Sequence, residues 1–233
     1  MEKKSEDLIN FKTAITSTIK SISGNNEIEV TFGNSIKNSD KKNITLPEIK
    51  EIKEKNEYIS LRAKADSEAL KLKYSDLEIF NSFKPEGSTS QALYSMAEQI
   101  RYEEVGSQGF RGIRENIKNF YNIQANKKEL NNENELIDAF EYYLRSNIFE
   151  LEKNKNLEKK FKKYKKDFEA NLKNKLGILN NSLFDQEKYN ALISSLISNM
   201  NIDEEFDSKE KNKEKNKEKK NSGDEEKNDQ NTK

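Results

Sequence analysis

Between Arg62 and Asn116 the sequence gathers Asp66, Glu68, Glu98, Arg101, Glu103, Glu104, Arg111 and Arg114, its densest mixture of acids and arginines. Arginine is otherwise scarce: the chain has 37 lysines and 5 arginines, and four of the five arginines fall between Arg62 and Arg114. A planar guanidinium meets a carboxylate through two parallel hydrogen bonds, a geometry that lysine's point charge does not reproduce. The plainest use of such residues is internal pairing, for instance Glu98 with Arg101 one helical turn on. A second use is a docking surface for a partner subunit, with Asp66, Glu98, Arg101, Glu103, Arg111 and Arg114 as the candidates. Carboxylate catalysis is the remotest of the three.

The chain contains no histidine, cysteine or tryptophan. Without them no disulfide, thiol nucleophile, zinc finger or iron–sulfur site can form, and no imidazole can shuttle protons. A metal site would have to use carboxylates and carbonyls, which suit Mg²⁺ or Ca²⁺. No G-x-x-x-x-G-K-[ST] loop or G-x-G-x-x-G turn is present to cradle phosphates, and no D-x-S-x-S cluster. Gly106-Ser107-Gln108-Gly109 has the outline of a G-x-x-G clamp for nucleic-acid backbone. That fold needs three strands, and a helix break with close backbone packing is the simpler reading. Phe161, Tyr164 and Phe168 form a stripe that reads as core rather than as a partner groove.

These residues sit on a mainly helical chain. Leucine, isoleucine, valine and phenylalanine make 53 of the 233 residues, just above the roughly one-fifth level below which disorder is expected. Mean hydropathy is −1.08. Acids and bases balance at 42 each, so no net field attracts nucleic acid or anionic lipid. The N-terminal residues carry no apolar signal region and no run is long enough to span a bilayer, which points to the cytoplasm.

Leu8, Phe11, Ile15, Ile19 and Ile22 predict a helix over 6–22. Ile28, Val30 and Phe32 alternate with polar residues, predicting a strand that pairs with a second near 44–46 across the polar loop from Asn34 to Asn43. At most a small two-stranded β element is therefore expected within 27–46. Pro47 is expected to open a helix running through Ile52 to about Lys73. Leu77 to Phe83 is a short apolar stretch before Pro85-Glu86-Gly87. Ser88 or Ser90 can cap a helix through Leu93, Ile100 and Val105, and another runs from 113 to 121. Asn132 and Glu135 have capping-box spacing ahead of Leu136 to Leu144. Leu157 to Leu176 repeat at helical spacing up to Gly177, and Leu183 to Met200 form the last helix. The domain so read covers 1–205. Residues 206–233, rich in Lys, Glu and Asn, cannot bury apolar surface and read as a disordered tail.

The order and content of these segments resemble the N-terminal region of CobT, a subunit of the aerobic, ATP-dependent cobaltochelatase. The matching stretches are FKTAITSTIKSISGNNEIEVTFG, ADSEALKLKYSD, FDQEKYNALISSLISNM and, most specifically, KPEGSTSQALYSMAEQIRYEEVGSQGFRGIRENI. In the last, Pro85, Glu86, Gly87, Glu98, Gln99, Arg101, Glu103, Gly106, Gly112 and Asn116 fall on the family pattern. The likeness runs from about 8 to 205, loosely between 122 and 175. It implies a non-catalytic subunit that works with an AAA+ ATPase subunit (CobS-like) as a chaperone-like complex. That complex acts on a large subunit (CobN-like), which receives cobalt in hydrogenobyrinic acid a,c-diamide. ATP, Mg²⁺ and cobalt would then be held by the partner subunits, and no cofactor by this chain. It implies further a strongly acidic linker and a von Willebrand A domain beyond it; the tail here is nearly balanced in charge, and the sequence stops within the linker. A helical scaffolding protein unrelated to chelation is the alternative reading.

Overall fold

The computed structural model describes residues 2–33, 43–49, 55–127, 135–151 and 154–200. Helix α1 (Glu2–Ser23) leads into strands β1 (Glu29–Phe32) and β2 (Asn43–Leu46), followed by α2 (Lys55–Tyr74), α3 (Leu77–Ser82) and α4 (Ser88–Ser107). Then come α5 (Arg111–Lys127), α6 (Glu135–Ile148), α7 (Lys155–Asn171), a 3-10 turn (Lys173–Lys175), α8 (Leu176–Asn181) and α9 (Gln186–Ser198). The mainly α reading with one small β element holds.

The two strands pair in parallel, Glu29 opposite Asn43 and Phe32 opposite Leu46. Ile28, Ile44 and Leu46 turn inward onto Ile15, Ile19 and Ile22 of α1 and Leu61, Ala65 and Ala69 of α2. The second core joins Leu93, Tyr94, Ala97 and Ile100 of α4 to Phe140 and Leu144 of α6, Phe168 of α7, and Tyr189 and Ile193 of α9. The stripe ending in Phe168 is core: that ring lies edge-on to Phe140 at 5.9 Å. Helix α4 serves both cores, since its Tyr102 packs in the first. Charged side chains on α4 are thus carried to the seam between two apolar bodies.

Several local readings are corrected. Pro47 does not open a helix, and residues 47–49 are not helical. Gly33 N–H donates to Leu46 O at 2.9 Å and Glu48 accepts from Lys12 Nζ at 3.1 Å, so β2 and its exit stay tied in extended form to β1 and α1. Neither Ser88 nor Ser90 is the N-cap of α4: Gly87 occupies that position at φ 86°, a conformation open to glycine, and has no side chain to cap with. The helix break expected within Gly106–Gly109 is present, at 108–110, while Gly106 itself lies inside α4. An added Cβ there would stand 2.4 Å from Leu70 Cδ2 and 2.9 Å from Tyr74 Cε2, so glycine lets α4 close on α2. The repeat from Leu157 does not run on as one helix to Gly177. It passes through the 3-10 turn after Asn171, and Gly177 lies within α8. Ile52, Asn132 of the capping box, the loop at 34–42 and the tail lie outside the described residues.

Candidate functional site

Helix α4 carries Glu98, Arg101, Glu103 and Glu104 on successive turns, and each acid meets an arginine. Glu98 takes Arg101 Nε on Oε2 and Arg101 Nη2 on Oε1, both at 2.8 Å. Ser75 Oγ adds a third donor to Glu98 at 2.6 Å. The remaining guanidinium N–H groups of Arg101 reach Leu183 O at 3.1 Å and Tyr74 O, so one side chain ties α4 to the end of α2 and to the approach to α9.

Glu103 is the most heavily bonded acid of the set. Arg145 Nη1 donates to its Oε2 at 2.7 Å. Its Oε1 accepts from Ser67 Oγ at 2.6 Å, Gln99 Nε2 at 2.9 Å and Tyr121 O–H at 3.3 Å. Arg145 also donates through Nε to Glu141 Oε1 at 3.0 Å and stacks on the Tyr121 ring, Cζ 3.4 Å from its centroid. Burial works against the Arg145 charge, but Tyr121, Glu103 and Glu141 together raise its pKa above the ordinary guanidinium value. Burial pushes the Tyr102 and Tyr121 phenols well above their usual range, so both are neutral near pH 7.

Two further pairs flank this centre. Glu104 accepts from Arg114 Nη1 at 2.7 Å, and the Arg114 guanidinium lies over the Phe149 ring at 4.7 Å. Asp66 accepts from Asn116 Nδ2 at 2.8 Å, with Arg62 Nε 3.3 Å from its other oxygen, an ion-pair distance without hydrogen-bond alignment. Burial raises the Asp66 pKa, and Asn116 and Arg62 pull it back only in part.

Of the six docking candidates, the structure gathers Asp66, Glu98, Arg101 and Glu103 inside, each only 1–2 % exposed. Arg114 is half-buried against Glu104, while Arg111 is exposed in the first turn of α5 with no hydrogen-bond or ion-pair partner among the described residues. Glu98 and Arg101 pair with each other, whereas Glu103 is held by Arg145 and Asp66 by Asn116 and Arg62. Sequence reasoning missed Arg145, Glu141, Ser67, Gln99 and Tyr121. The rarity of arginine could have drawn attention to Arg145, but nothing local points from it to Glu103.

Two clefts open onto the network. One of about 580 Å³ is lined by Ser67, Gln99, Glu103 and Tyr121 together with Lys64 and Phe120. The other, about 690 Å³, is lined by Ser75, Glu98, Gln99 and Tyr102 together with Lys71 and Leu77. Among the described residues no group of three or more acids could hold a metal ion, and no helix is long and apolar enough to cross a membrane. Each acid of the network is matched by an arginine, and the pairs tie the helices together.

Segments 65–76 and 84–117, which carry the resemblance, supply Asp66, Ser67, Glu98, Arg101, Glu103, Glu104 and Asn116 to the network, while Tyr121, Glu141 and Arg145 lie outside them. The family model for cobalamin biosynthesis protein CobT matches residues 5–233. The chain belongs to the CobT family. CobT membership links the chain to cobalt chelation in cobalamin biosynthesis. No solved structure matches it. Within this CobT chain, α2, α4, α5 and α6 are the elements that position the charged seam.

Proposed function

We propose that this chain is a non-catalytic subunit of the ATP-dependent cobaltochelatase that inserts cobalt into hydrogenobyrinic acid a,c-diamide. It works in the cytoplasm with an AAA+ ATPase subunit (CobS-like) as a chaperone-like complex acting on the large subunit (CobN-like). One observation carries the reading beyond family membership: the buried acids of α4 are each matched by an arginine inside the fold. With no histidine or cysteine in the sequence, imidazole and thiolate ligands for cobalt are also lacking. Such a chain supplies shape and contact surface, and the nucleotide and metal steps fall to its partners.

The test is reconstitution from three purified subunits with ATP, Mg²⁺, Co²⁺ and the corrinoid substrate, read by the absorbance change on cobalt insertion. Insertion is expected in the full mixture and lost when this chain is left out. Insertion at an unchanged rate without it, or failure of this chain to bind the ATPase subunit, overturns the reading.

A further inference from the structure

A third cleft, about 570 Å³, lies at the start of α5 against α1 and α2, away from the buried pairs around Glu98 and Glu103. Ile22, Tyr58, Arg62, Phe110, Arg111 and Asn116 contribute to its lining, which contains two guanidiniums and no carboxylate. Tyr58 and Phe110 are among the exposed large hydrophobics, at 44 % and 42 %. Arg62 spends part of its donor set on Thr18 Oγ1 at 3.3 Å and on buried Asp66, while Arg111 has no partner among the described residues. The first turn of α5 holds no acid, so the positive end of a 17-residue helix adds to both arginines. Next to them Gly109 and Gly112 leave the space where a Cβ would sit empty, which gives another backbone room to approach.

We propose that this cleft docks an acidic segment of a partner subunit, one that presents a bulky apolar side chain flanked by Asp or Glu. The apolar side chain packs against Tyr58 and Phe110, and its carboxylates take the paired N–H groups of Arg62 and Arg111. The chain's own Asp203-Glu204-Glu205-Phe206-Asp207 has this chemistry but not the reach. Helix α9 runs antiparallel to α4, with Leu183 at Arg101 and Tyr189 at Ala97, so it ends toward the N-terminus of α4. Phe110 lies beyond the other end, and at 1.5 Å per helical residue the two ends stand on the order of 30 Å apart. Six residues from Met200 to Phe206 extend about 20 Å at most.

This inference rests on the subunit reading above for the source of the segment, and one experiment separates their failures. The full chain, with Phe110 replaced by the photocrosslinker p-benzoylphenylalanine, is mixed with the purified ATPase and large subunits, irradiated, and mapped by mass spectrometry. Binding of Arg111→Glu and Lys188→Glu variants is measured in parallel; Lys188 is exposed on α9, on the far side of α4, and the charge change is the same. The expected result is a crosslink to an acid-rich stretch of one partner. Arg111→Glu should weaken the complex about tenfold or more and Lys188→Glu less than twofold. A complex that forms without a crosslink at 110 overturns the docking proposal while the subunit reading stands. So does a crosslink to a basic or neutral stretch, to a second copy or to the chain's own tail, or equal loss in both variants. If no complex assembles, both fall.

Discussion

Glu103 on α4 and Arg145 on α6 meet at 2.7 Å although 42 positions separate them, and each side chain is only 1 % exposed. Taking two charges out of water costs several kcal/mol per ion, recovered only where geometry and further hydrogen bonds are good. Here Ser67, Gln99, Tyr121 and Glu141 supply those bonds. Four helices are held in one register by this pair and its neighbours.

Removing one member should therefore hurt more than removing both. Arg145→Met leaves Glu103 buried without its cation and should cost about 3–5 kcal/mol in urea unfolding. Glu103→Leu combined with Arg145→Met should recover part of that loss. A double variant as unstable as the summed single variants would mean the two residues are not coupled.

Asp66 gives the fold a pH dependence opposite to that of a salt-bridged surface acid. Its folded pKa is raised by burial above the ordinary 3.8. As pH rises through 3.8 the unfolded chain releases the proton first, so Asp66 subtracts stability progressively until pH passes the folded value. Asp66→Asn removes that penalty while keeping an acceptor for Asn116. The variant's stability relative to the parent should rise between pH 4 and pH 7, as read by urea midpoints; a fall over that range would contradict it.

Gly106→Ala tests the close approach of α4 to α2. Alanine favours a helix over glycine by about 1 kcal/mol. Against this, the new Cβ meets Leu70 Cδ2 at 2.4 Å and Tyr74 Cε2 at 2.9 Å, and Leu70 is fully buried among core side chains. Overpacking of this kind costs about 1–3 kcal/mol, so the net change should be destabilising and visible as a lower Tm.

Arg101→Lys distinguishes internal pairing from docking at that residue. Lysine cannot reach Glu98, Leu183 O and Tyr74 O together, and the loss should be about 2–3 kcal/mol. Amide exchange should quicken along α9, where the tie to Leu183 is cut. Affinity for the ATPase subunit, measured well below Tm, should stay unchanged. A large fall in affinity with the fold intact would make Arg101 a contact residue.

Much of the architecture was legible because it is local. Spacing at 8–22 and 183–200 marks helices α1 and α9, and alternation at Ile28, Val30 and Phe32 marks β1, since each pattern is complete within a few residues. The acids and arginines of 62–116 were likewise visible, and so was the pairing of Glu98 with Arg101 within one helix.

Residue types are readable along the chain: no histidine or cysteine, arginine kept for few positions, and apolar faces at helical spacing. Which charges lie inside depends on how the helices pack. Asp66 and Glu103 look from their neighbours like surface acids of amphipathic helices. They are buried because α5 and α6 pack over α2 and α4 and bring Asn116, Tyr121 and Arg145 within hydrogen-bond reach. Pro47 and Gly106 departed from their local preferences for the same reason. A residue's preference is worth about 1 kcal/mol, and contacts made by distant segments outweigh it.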